Sequence, residues 1–266
     1  MFSIYYINLA SRADRREYME TQLTKLGLTA QRIEAVTPAE LSALDIEQYC
    51  NPQKPTFLRQ TELSCTLSHE RAWQAMLETD ADRALILEDD VELSRLLPAF
   101  LEDARAIDAD LIRVETTGNA TRVFPITSTG KSGVAVRPFR STPTGSAGYL
   151  IRASAARSML GSVALRQRHM DLALYSPFEE PGSLLTRVLT DPAMCRQLNM
   201  TEQKSVELAR SDIAYNQTPH AFAEVHPVRF FVHKFQRNLR RGWRNARDHV
   251  AQQKNGLERR VIPFGG

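Results

Sequence analysis

The chain has 266 residues, of which 42% are apolar and 24% charged, and this globular composition excludes disordered, collagen-like and disulfide-scaffold proteins. Its three cysteines, Cys50, Cys65 and Cys195, share no metal-ligand spacing, so the sequence favours a reducing compartment over a disulfide framework or a zinc site. No stretch approaches the roughly 18 consecutive apolar residues of a membrane-spanning helix, and the N-terminus has no basic signal-peptide region. We therefore expect a cytoplasmic protein.

The net charge of +3 conceals an uneven distribution of charge along the chain. Residues 229–260 carry ten Lys and Arg against two acidic residues, whereas residues 1–228 carry 24 against 29. Residues 1–228 are therefore predicted to form one domain, and residues 229–266 a basic extension. A segregated basic segment points to an anionic partner, either a membrane surface or nucleic acid.

The first third of the chain predicts a β-α-β unit, the building block of a parallel sheet. Its opening run is almost continuously apolar, as in a strand buried on both faces, and the next apolar residues recur at helical spacing. The elements predicted here are a strand over 3–9, a helix ending at Gly27, a strand over 31–36, an irregular surface connection over 38–61, a helix over 61–78 and a strand over 84–87.

The middle of the chain continues the alternation of helices and strands, with loops between them. It predicts a helix over 93–106 interrupted near Pro98, a strand over 110–115, loops or hairpins over 116–147, a strand over 148–152 and a helix over 153–160. Residues 166–218 show no clear period. The whole predicts one α/β domain with a twisted, mostly parallel central sheet.

The strongest local signal is Glu88-Asp89-Asp90, which stands at the end of the apolar strand over 84–87. Ligands of open α/β sheets bind at the carboxyl ends of strands. Adjacent carboxylates repel one another, and a Mg²⁺ or Mn²⁺ ion held by one or two of them would relieve the repulsion. Glu88 and Asp90 can both face such an ion. A solvated acidic turn is the competing interpretation.

Three further segments could carry chemistry, although each also has a purely structural interpretation. His69 shares a helix face with Trp73 and could contact a phosphate, a metal or a sugar, or could simply pack at the core rim. The turn over 8–16 joins the first strand to a helix, where phosphates often bind, or is a solvated cationic turn. The small residues of 144–151 suit a close backbone approach to a sugar, or a hairpin.

In order and spacing, these segments resemble glycosyltransferase family 25, the lipooligosaccharide (LPS core) biosynthesis transferases. The resemblance covers roughly residues 2–200, and Ser64 stands where the family commonly has Gly. The matching residues are Asn8-Leu9 with Arg12, Arg15 and Arg16, Glu34-Ala35-Val36, Cys65 with Leu67-Ser68-His69 and Trp73, Leu85 through Val91, Gly145 through Ile151, Ala155-Ala156 with Leu160, Asp171, and Pro192 with Gln197.

The resemblance implies a GT-A type nucleotide-sugar-binding fold and an inverting β-galactosyltransferase that uses UDP-galactose and a lipooligosaccharide or LPS acceptor, although other members transfer glucose. It implies that Glu88 and Asp90 form an acid-x-acid pair for Mn²⁺ or Mg²⁺. Asp171 is the candidate general base, because it stands in an apolar stretch where burial can raise a carboxylate pKa toward the working pH, and it matches the late Asp of the family. A structural or metal-bound carboxylate is the competing interpretation, and Glu115 and Asp212 are rivals. The donor residues expected are Asn8, Leu9, Arg12, Arg15, Arg16, His69 and Asp89, and the acceptor or sugar residues Gly145, Gly148 and Tyr149.

The C-terminal extension is predicted to be an amphipathic helix that lies on an anionic membrane. Between Arg229 and Arg247 there are seven Lys and Arg and no acidic residue. The apolar side chains recur in steps of three and four and include Phe235 and Trp243, the pattern of an interfacial helix. We therefore expect peripheral association with the inner face of the inner membrane; a helix packed on the domain is the competing interpretation.

Two other functional classes remain open. A nucleotide-sugar or phosphate-ester hydrolase could use the same acidic site, but the sequence shows no further metal-ligand cluster to hold its water. A nucleic-acid-binding protein could use the basic segment, but residues 1–228 are acidic and show no base-reading motif, so we expect no nucleic acid partner.

Overall fold

The computed structural model describes residues 2–200, residue 208, scattered helical residues between 228 and 250, and residues 254–266. The described strands are β1 (Phe2–Asn8), β2 (Gln31–Glu34), β3 (Arg83–Glu88), β4 (Val91–Leu93), β5 (Leu111–Arg113), β6 (Glu115–Thr116), β7 (Ala120–Val123), β8 (Ser128–Thr129), β9 (Ala135–Pro138), β10 (Gly148–Arg152), β11 (Arg187–Asp191), β12 (Cys195–Gln197) and β13 (Glu258–Val261). The helices of residues 2–200 are α1 (Ala13–Lys25), α2 (Ala43–Tyr49), α3 (Gln60–Leu77), α4 (Leu97–Asp103), α5 (Ala153–Leu160) and α6 (Met170–Tyr175).

An eight-stranded sheet organises the fold, with the strand order β2-β1-β3-β10-β5-β11-β9-β8. Strand pairing shows that six of these strands run in one direction, while β10 and β9 run in the other. The α/β class and the mostly parallel sheet are therefore confirmed. The chain from β5 to β10 contains short strands and loops but no helix, and antiparallel neighbours need no helical crossover, so β10 can enter the sheet in the opposite direction.

The directions of β1, β3 and β10 bring three chain segments to one edge of the sheet. In the parallel pair of β1 and β3, Ile7 lies opposite Glu88, so Asn8 and the acidic residues leave the sheet at the same edge. In the antiparallel pair of β3 and β10, Gly148 lies opposite Leu87, so the residues that precede β10 arrive there as well. The residues that open β10 therefore meet the residues that follow β1 and β3.

Helix α3 covers one face of this sheet because its apolar side chains recur on one side. Leu63, Ala72, Trp73 and Met76 are each at most 1% exposed, and α3 contacts β1, β2, β3 and α5. Burial of a side chain of this size contributes about 1.5–3 kcal/mol, so this face fixes α3 on the sheet. His69 lies on the same helix and points toward the carboxyl end of β3, where its ring contacts Glu88.

The structure corrects three of the predicted elements. The connection over 38–61 contains α2, which Ser42 caps by accepting the backbone N–H of Asp45. The helix predicted over 93–106 begins only at Leu97, because residues 91–93 pair with β12 as β4. The strand predicted over 110–115 is divided between two sheets as β5 and β6.

The end of the chain is part of the domain rather than of a separate extension. Strand β13 pairs antiparallel with β7, and Leu257 and Ile262 are buried. The Thr116 hydroxyl donates to the Ile262 carbonyl at 2.7 Å. The predicted extension 229–266 therefore has to be shortened, because residues 257–266 pack on the domain as part of its fold. Most of the predicted amphipathic helix lies outside the described residues.

Where the structure describes the basic segment, the residues are helical and their apolar side chains are exposed. Phe235 is 65% and Trp243 74% exposed, and Val228, Val232, Leu239 and Val250 are at least 49% exposed. Among the described residues, no helix is both long and apolar enough to cross a bilayer.

Candidate active site

Asp89 is a buried anchor between the acidic motif and the turn after β1. The Asn8 amide donates to Asp89 Oδ2 at 2.7 Å and to the Arg12 carbonyl at 3.0 Å. Arg15, the second partner, places its Nη1 3.1 Å from Asp89 Oδ1 and 3.5 Å from Asp90 Oδ2. Burial raises the pKa of Asp89, and the charge of Arg15 opposes this shift. Asn8, Arg15 and Asp89 thus join α1 to the end of β3.

Glu88 is held by two groups that reach it from different elements. The Ser146 hydroxyl, just before β10, donates to Glu88 Oε1 at 2.8 Å, and His69 Nε2 lies 3.4 Å from the same oxygen. Burial alone would raise the pKa of Glu88. Its contacts with His69 and Ser146 lower the pKa by more than burial raises it, so the net shift is downward. Glu88 is therefore held as an ionised carboxylate.

Asp90 carries the least satisfied carboxylate of the three. Its Oδ1 is buried and has no hydrogen-bond partner among the described residues. Burial, together with the negative charge of Glu88, raises the pKa of Asp90 to about 7. A buried acceptor without a donor is costly, and a divalent cation relieves such a cost. Glu88 and Asp90 therefore fit the acid-x-acid pair expected to bind Mg²⁺ or Mn²⁺.

His69 is oriented by a chain of buried hydrogen bonds beneath the site. Its Nδ1 lies 2.8 Å from the Tyr149 hydroxyl, which also accepts the Trp73 indole N–H at 3.0 Å. His69, Trp73 and Tyr149 have no exposed surface. Because Tyr149 is fully buried and contacts His69, it can influence a bound sugar only by orienting the His69 ring.

Behind the turn before β10, the buried side chains of Arg113 and Glu115 contact each other. Glu115 Oε2 lies 3.3 Å from Arg113 Nη2 and accepts the Ala147 N–H at 3.1 Å, while Arg113 Nη2 donates to the Thr144 carbonyl at 2.7 Å. Burial raises the pKa of Glu115 to about 8. Gly145 has a φ of +87°, and a side chain there would collide with the Glu115 carboxylate. The pair therefore fixes the turn that presents Ser146.

The remaining sequence candidates lie around this centre. Asp171 lies in the first turn of α6, partly exposed, and its carboxylate accepts the Leu172 N–H at 2.7 Å. Its charge adds to burial and to Glu88 in raising the pKa of the Cys65 thiol. Glu115 is enclosed, whereas Asp212 lies outside the described residues. Leu9 packs on the core, Arg12 pairs with Asp14 at 2.8 Å and Arg16 is exposed. Gly148 leaves room for the Cys195 sulfur.

Three functional features of this centre were missed from the sequence. Ser146 gives no signal in the sequence beyond its small size, yet its hydroxyl holds Glu88. Arg113 lies in a strand and has no signal in the sequence. Its contact with Glu115 depends on β5 and β6 entering different sheets, which no local pattern predicts. Cys65 and His69 are four residues apart on α3, a spacing that could have marked them as neighbours on one face.

The comparisons with known proteins agree with this arrangement. The family model described as "Glycosyltransferase family 25 (LPS biosynthesis protein)" matches residues 1–173. Curated relatives include "Inactive glycosyltransferase 25 family member 3" of Homo sapiens, 27% identical over 62% of this chain and 29% of that protein. A "Glycosyltransferase 25 family member" of Drosophila pseudoobscura pseudoobscura is 32% identical over 41% of this chain and 20% of its own length.

"Procollagen galactosyltransferase 2" of Homo sapiens is 33% identical over 33% of this chain and 15% of that protein. The chain thus spans less than a third of the length of these curated relatives. The family model, in contrast, covers well over half of the chain and includes β1, α1, α3, β3 and β10, the elements that build the acidic centre. The chain therefore belongs to glycosyltransferase family 25.

Proposed function

We propose that this chain is an inverting glycosyltransferase that moves a hexose, galactose from UDP-galactose, onto a hydroxyl of a lipooligosaccharide or LPS glycan. The observation that carries the proposal is the state of Glu88 and Asp90 at the end of β3. One is held ionised by Ser146 and His69, and the other has a buried oxygen without a donor. Such a pair suits Mn²⁺ or Mg²⁺ with a nucleoside diphosphate.

The donor and the acceptor are supported by the relatives. A galactose donor is in keeping with the name of the human procollagen galactosyltransferase, and a glycolipid acceptor with the description of the family model. Since the named relative acts on procollagen, a protein acceptor is the alternative that any assay should include.

In the proposed reaction, Glu88 and Asp90 would hold the divalent ion, and Arg15, fixed by Asp89, lies beside Asp90. When bound, the ion would offset the negative charge that develops on the departing UDP. The bond from the anomeric carbon to the diphosphate oxygen breaks, and the bond to the acceptor oxygen forms on the opposite face. The acceptor proton passes to a general base.

We assign the general base to Asp171 rather than to Glu115. Asp171 is partly exposed and its charge acts on Cys65, next to His69 and Glu88. Glu115 has no exposed side-chain surface, and its carboxylate already accepts Ala147 and faces Arg113. An acceptor hydroxyl could therefore reach Asp171 without disturbing the core. Asp171→Asn should lower kcat far more than the affinity for the UDP-sugar.

We further propose that the enzyme works at the inner face of the inner membrane, where a lipid-linked acceptor would be concentrated. Exposed Phe235 and Trp243 and the seven basic residues of 229–247 support an anionic lipid surface as the partner.

The decisive experiment is a panel of UDP-galactose, UDP-glucose and UDP-N-acetylhexosamines with Mn²⁺ or Mg²⁺, each with a lipooligosaccharide core, with procollagen, or without acceptor. Product should form from UDP-galactose and the lipooligosaccharide core, and Asp90→Asn or excess chelator should abolish it. UDP release that is unaffected by any acceptor would support the hydrolase instead. Product on procollagen alone would move the acceptor to protein.

A further inference from the structure

Next to the acidic motif, the fold brings together a thiol, an imidazole and a carboxylate that are distant in sequence. Cys65 and His69 lie one helical turn apart on α3, and Glu88 ends β3. One ligand atom of each, Cys65 Sγ, a His69 ring nitrogen and a Glu88 oxygen, lies within 4.8 Å of the other two. Asp90 is not a member of this group. These are the three ligand types that bind Zn²⁺ in proteins.

The separation between His69 and Glu88 suits a cation between them better than a direct hydrogen bond. Nε2 and Oε1 are 3.4 Å apart, beyond the 2.7–3.2 Å or so at which N–H···O bonds are normally found. Two ligands of a tetrahedral zinc ion, each bonded at about 2.0–2.1 Å, lie about 3.3 Å apart. The observed spacing therefore needs little adjustment to bind an ion.

The surroundings also orient these groups as ligands. The Tyr149 oxygen accepts the Trp73 N–H and has a second lone pair for a proton on His69 Nδ1, which lies 2.8 Å away. A bound ion would take the lone pair of Nε2 while the proton sits on Nδ1; without an ion, a proton on Nε2 faces Glu88 and keeps it ionised. The Ser146 hydroxyl fixes Glu88 Oε1 from the other side at 2.8 Å. Such supporting hydrogen bonds are typical of metal-binding histidines and carboxylates.

We propose that Cys65, His69 and Glu88 form a binding site for a thiophilic divalent ion, Zn²⁺ or Co²⁺, adjacent to the Glu88/Asp90 position. Three protein ligands leave one coordination position for water. Binding converts the Cys65 thiol to a thiolate and releases its proton to solvent, so affinity rises with pH. Mg²⁺ prefers oxygen ligands and would not use Cys65.

The two positions share Glu88, and this consequence rests on the proposed function. An ion on Cys65 and His69 would draw Glu88 away from an ion paired with Asp90, so Zn²⁺ and Mg²⁺ would compete for the same carboxylate. Their ligand chemistry differs, which allows the two positions to be tested separately.

The test is a titration of the full chain with Co²⁺, followed by absorption in the near ultraviolet, where a cobalt–thiolate bond gives a charge-transfer band. Wild type should show the band, and Cys65→Ser should abolish it and weaken Zn²⁺ binding by about tenfold or more, as measured against a chromophoric chelator. Cys50→Ser is the matched control, since Cys50 follows α2 and is not part of the group of Cys65, His69 and Glu88, and Asp90→Asn should also retain the band.

A wild-type protein that binds Co²⁺ without the band, or not at all, overturns the inference. So does a band that Cys65→Ser retains while Cys50→Ser abolishes it. Failure of the proposed function looks different, because the band would then be present while no UDP-sugar supports transfer to any acceptor. Circular dichroism of the serine variants verifies that both are folded.

Discussion

At the scale of single residues, the three consecutive carboxylates differ in what holds them. Asp89 neutralises buried Arg15 at 3.1 Å, so Asp89→Asn leaves a buried charge with its main partner removed. We expect the free energy of unfolding to fall by about 3 kcal/mol. Asp90→Asn removes a buried negative charge that repels Glu88, and Arg15 keeps its closer partner Asp89, so we expect unchanged or higher stability together with loss of turnover.

Urea denaturation of the two variants measures this contrast. Asp14→Asn, which removes an exposed carboxylate beside Arg12, is the control and should cost at most about 1 kcal/mol. Equal destabilisation by Asp89→Asn and Asp90→Asn would show that the two carboxylates are not held as described.

Two fully buried tyrosines provide a second contrast. The Tyr149 hydroxyl accepts from Trp73 and contacts His69, whereas the Tyr175 hydroxyl has no partner among the described residues. Tyr149→Phe should therefore cost about 1–3 kcal/mol and reduce kcat, because two buried polar groups lose their partner. Tyr175→Phe should be neutral or stabilising. Thermal unfolding compares them, and a larger loss at Tyr175 would contradict the hydrogen-bond chain.

Glu115 predicts a pH dependence of stability. The pKa of Glu115 is about 8 in the folded chain, above its ordinary value. At a pH between these two pKa values, the folded state therefore binds more protons than the unfolded state. The free energy of unfolding should therefore fall as pH rises from about 5 to 8, and Glu115→Gln should make this fall smaller. Exposed Glu258→Gln is the control. Equal slopes for wild type and Glu115→Gln, measured by urea denaturation, would refute the assignment.

At the scale of elements, the turn that precedes β10 depends on one glycine. Gly145 and Gly133 both have positive φ, at +87° and +77°, but only Gly145 lies against another group, the Glu115 carboxylate. Gly133→Ala should cost about 1–2 kcal/mol for its backbone conformation alone. Gly145→Ala should cost a further 1–3 kcal/mol or so from the collision, and should weaken Mn²⁺ binding because Ser146 shifts.

Equilibrium unfolding and Mn²⁺ titration of both alanine variants test this difference. If Gly133→Ala weakens Mn²⁺ binding as strongly as Gly145→Ala, the turn before β10 does not control the position of Glu88.

Elements with one dominant period were predictable from the sequence. The apolar run of β1 and the helical spacing in α3 mark these elements directly, and β10 and α5 have the predicted bounds. Helix α2 was missed because Pro38, Pro52 and Pro55 masked the capping signal of Ser42 and Asp45. The direction of β10 depends on long-range pairing with β3 and β5, which no local pattern encodes.

The candidate site was predictable only in its acidic motif, because strand-end carboxylates leave a local signature. The separate roles of Glu88, Asp89 and Asp90 arise from Ser146, His69 and Arg15, which lie on three other parts of the chain. Contacts over such separations follow from sheet topology. The roles of Asp171 and of the metal remain predictions.

At the scale of the whole molecule, the exposed apolar residues of the basic segment predict binding to anionic vesicles. Phe235→Ser combined with Trp243→Ser should weaken co-sedimentation with phosphatidylglycerol vesicles by about tenfold or more, because both large side chains lose their burial in the lipid. High salt should weaken wild-type binding as well.

Leu44→Ser is the matched control, since Leu44 is 74% exposed on α2 outside the basic segment. Point substitutions are required because a chain ending at 228 would also lose β13. The membrane proposal is contradicted if the wild-type protein does not co-sediment with anionic vesicles at low salt. It is also contradicted if the double variant binds them as strongly as the wild type does.

The return of the chain to the domain has a consequence for proteolysis. Leu208 accepts a hydrogen bond from Arg15, and β13 is held by β7, so the basic segment is fastened on both sides. A protease that cuts between 209 and 253 therefore does not shed a tail. It produces two fragments that stay together through the β7–β13 ladder, and separation of the smaller fragment requires the fold itself to open.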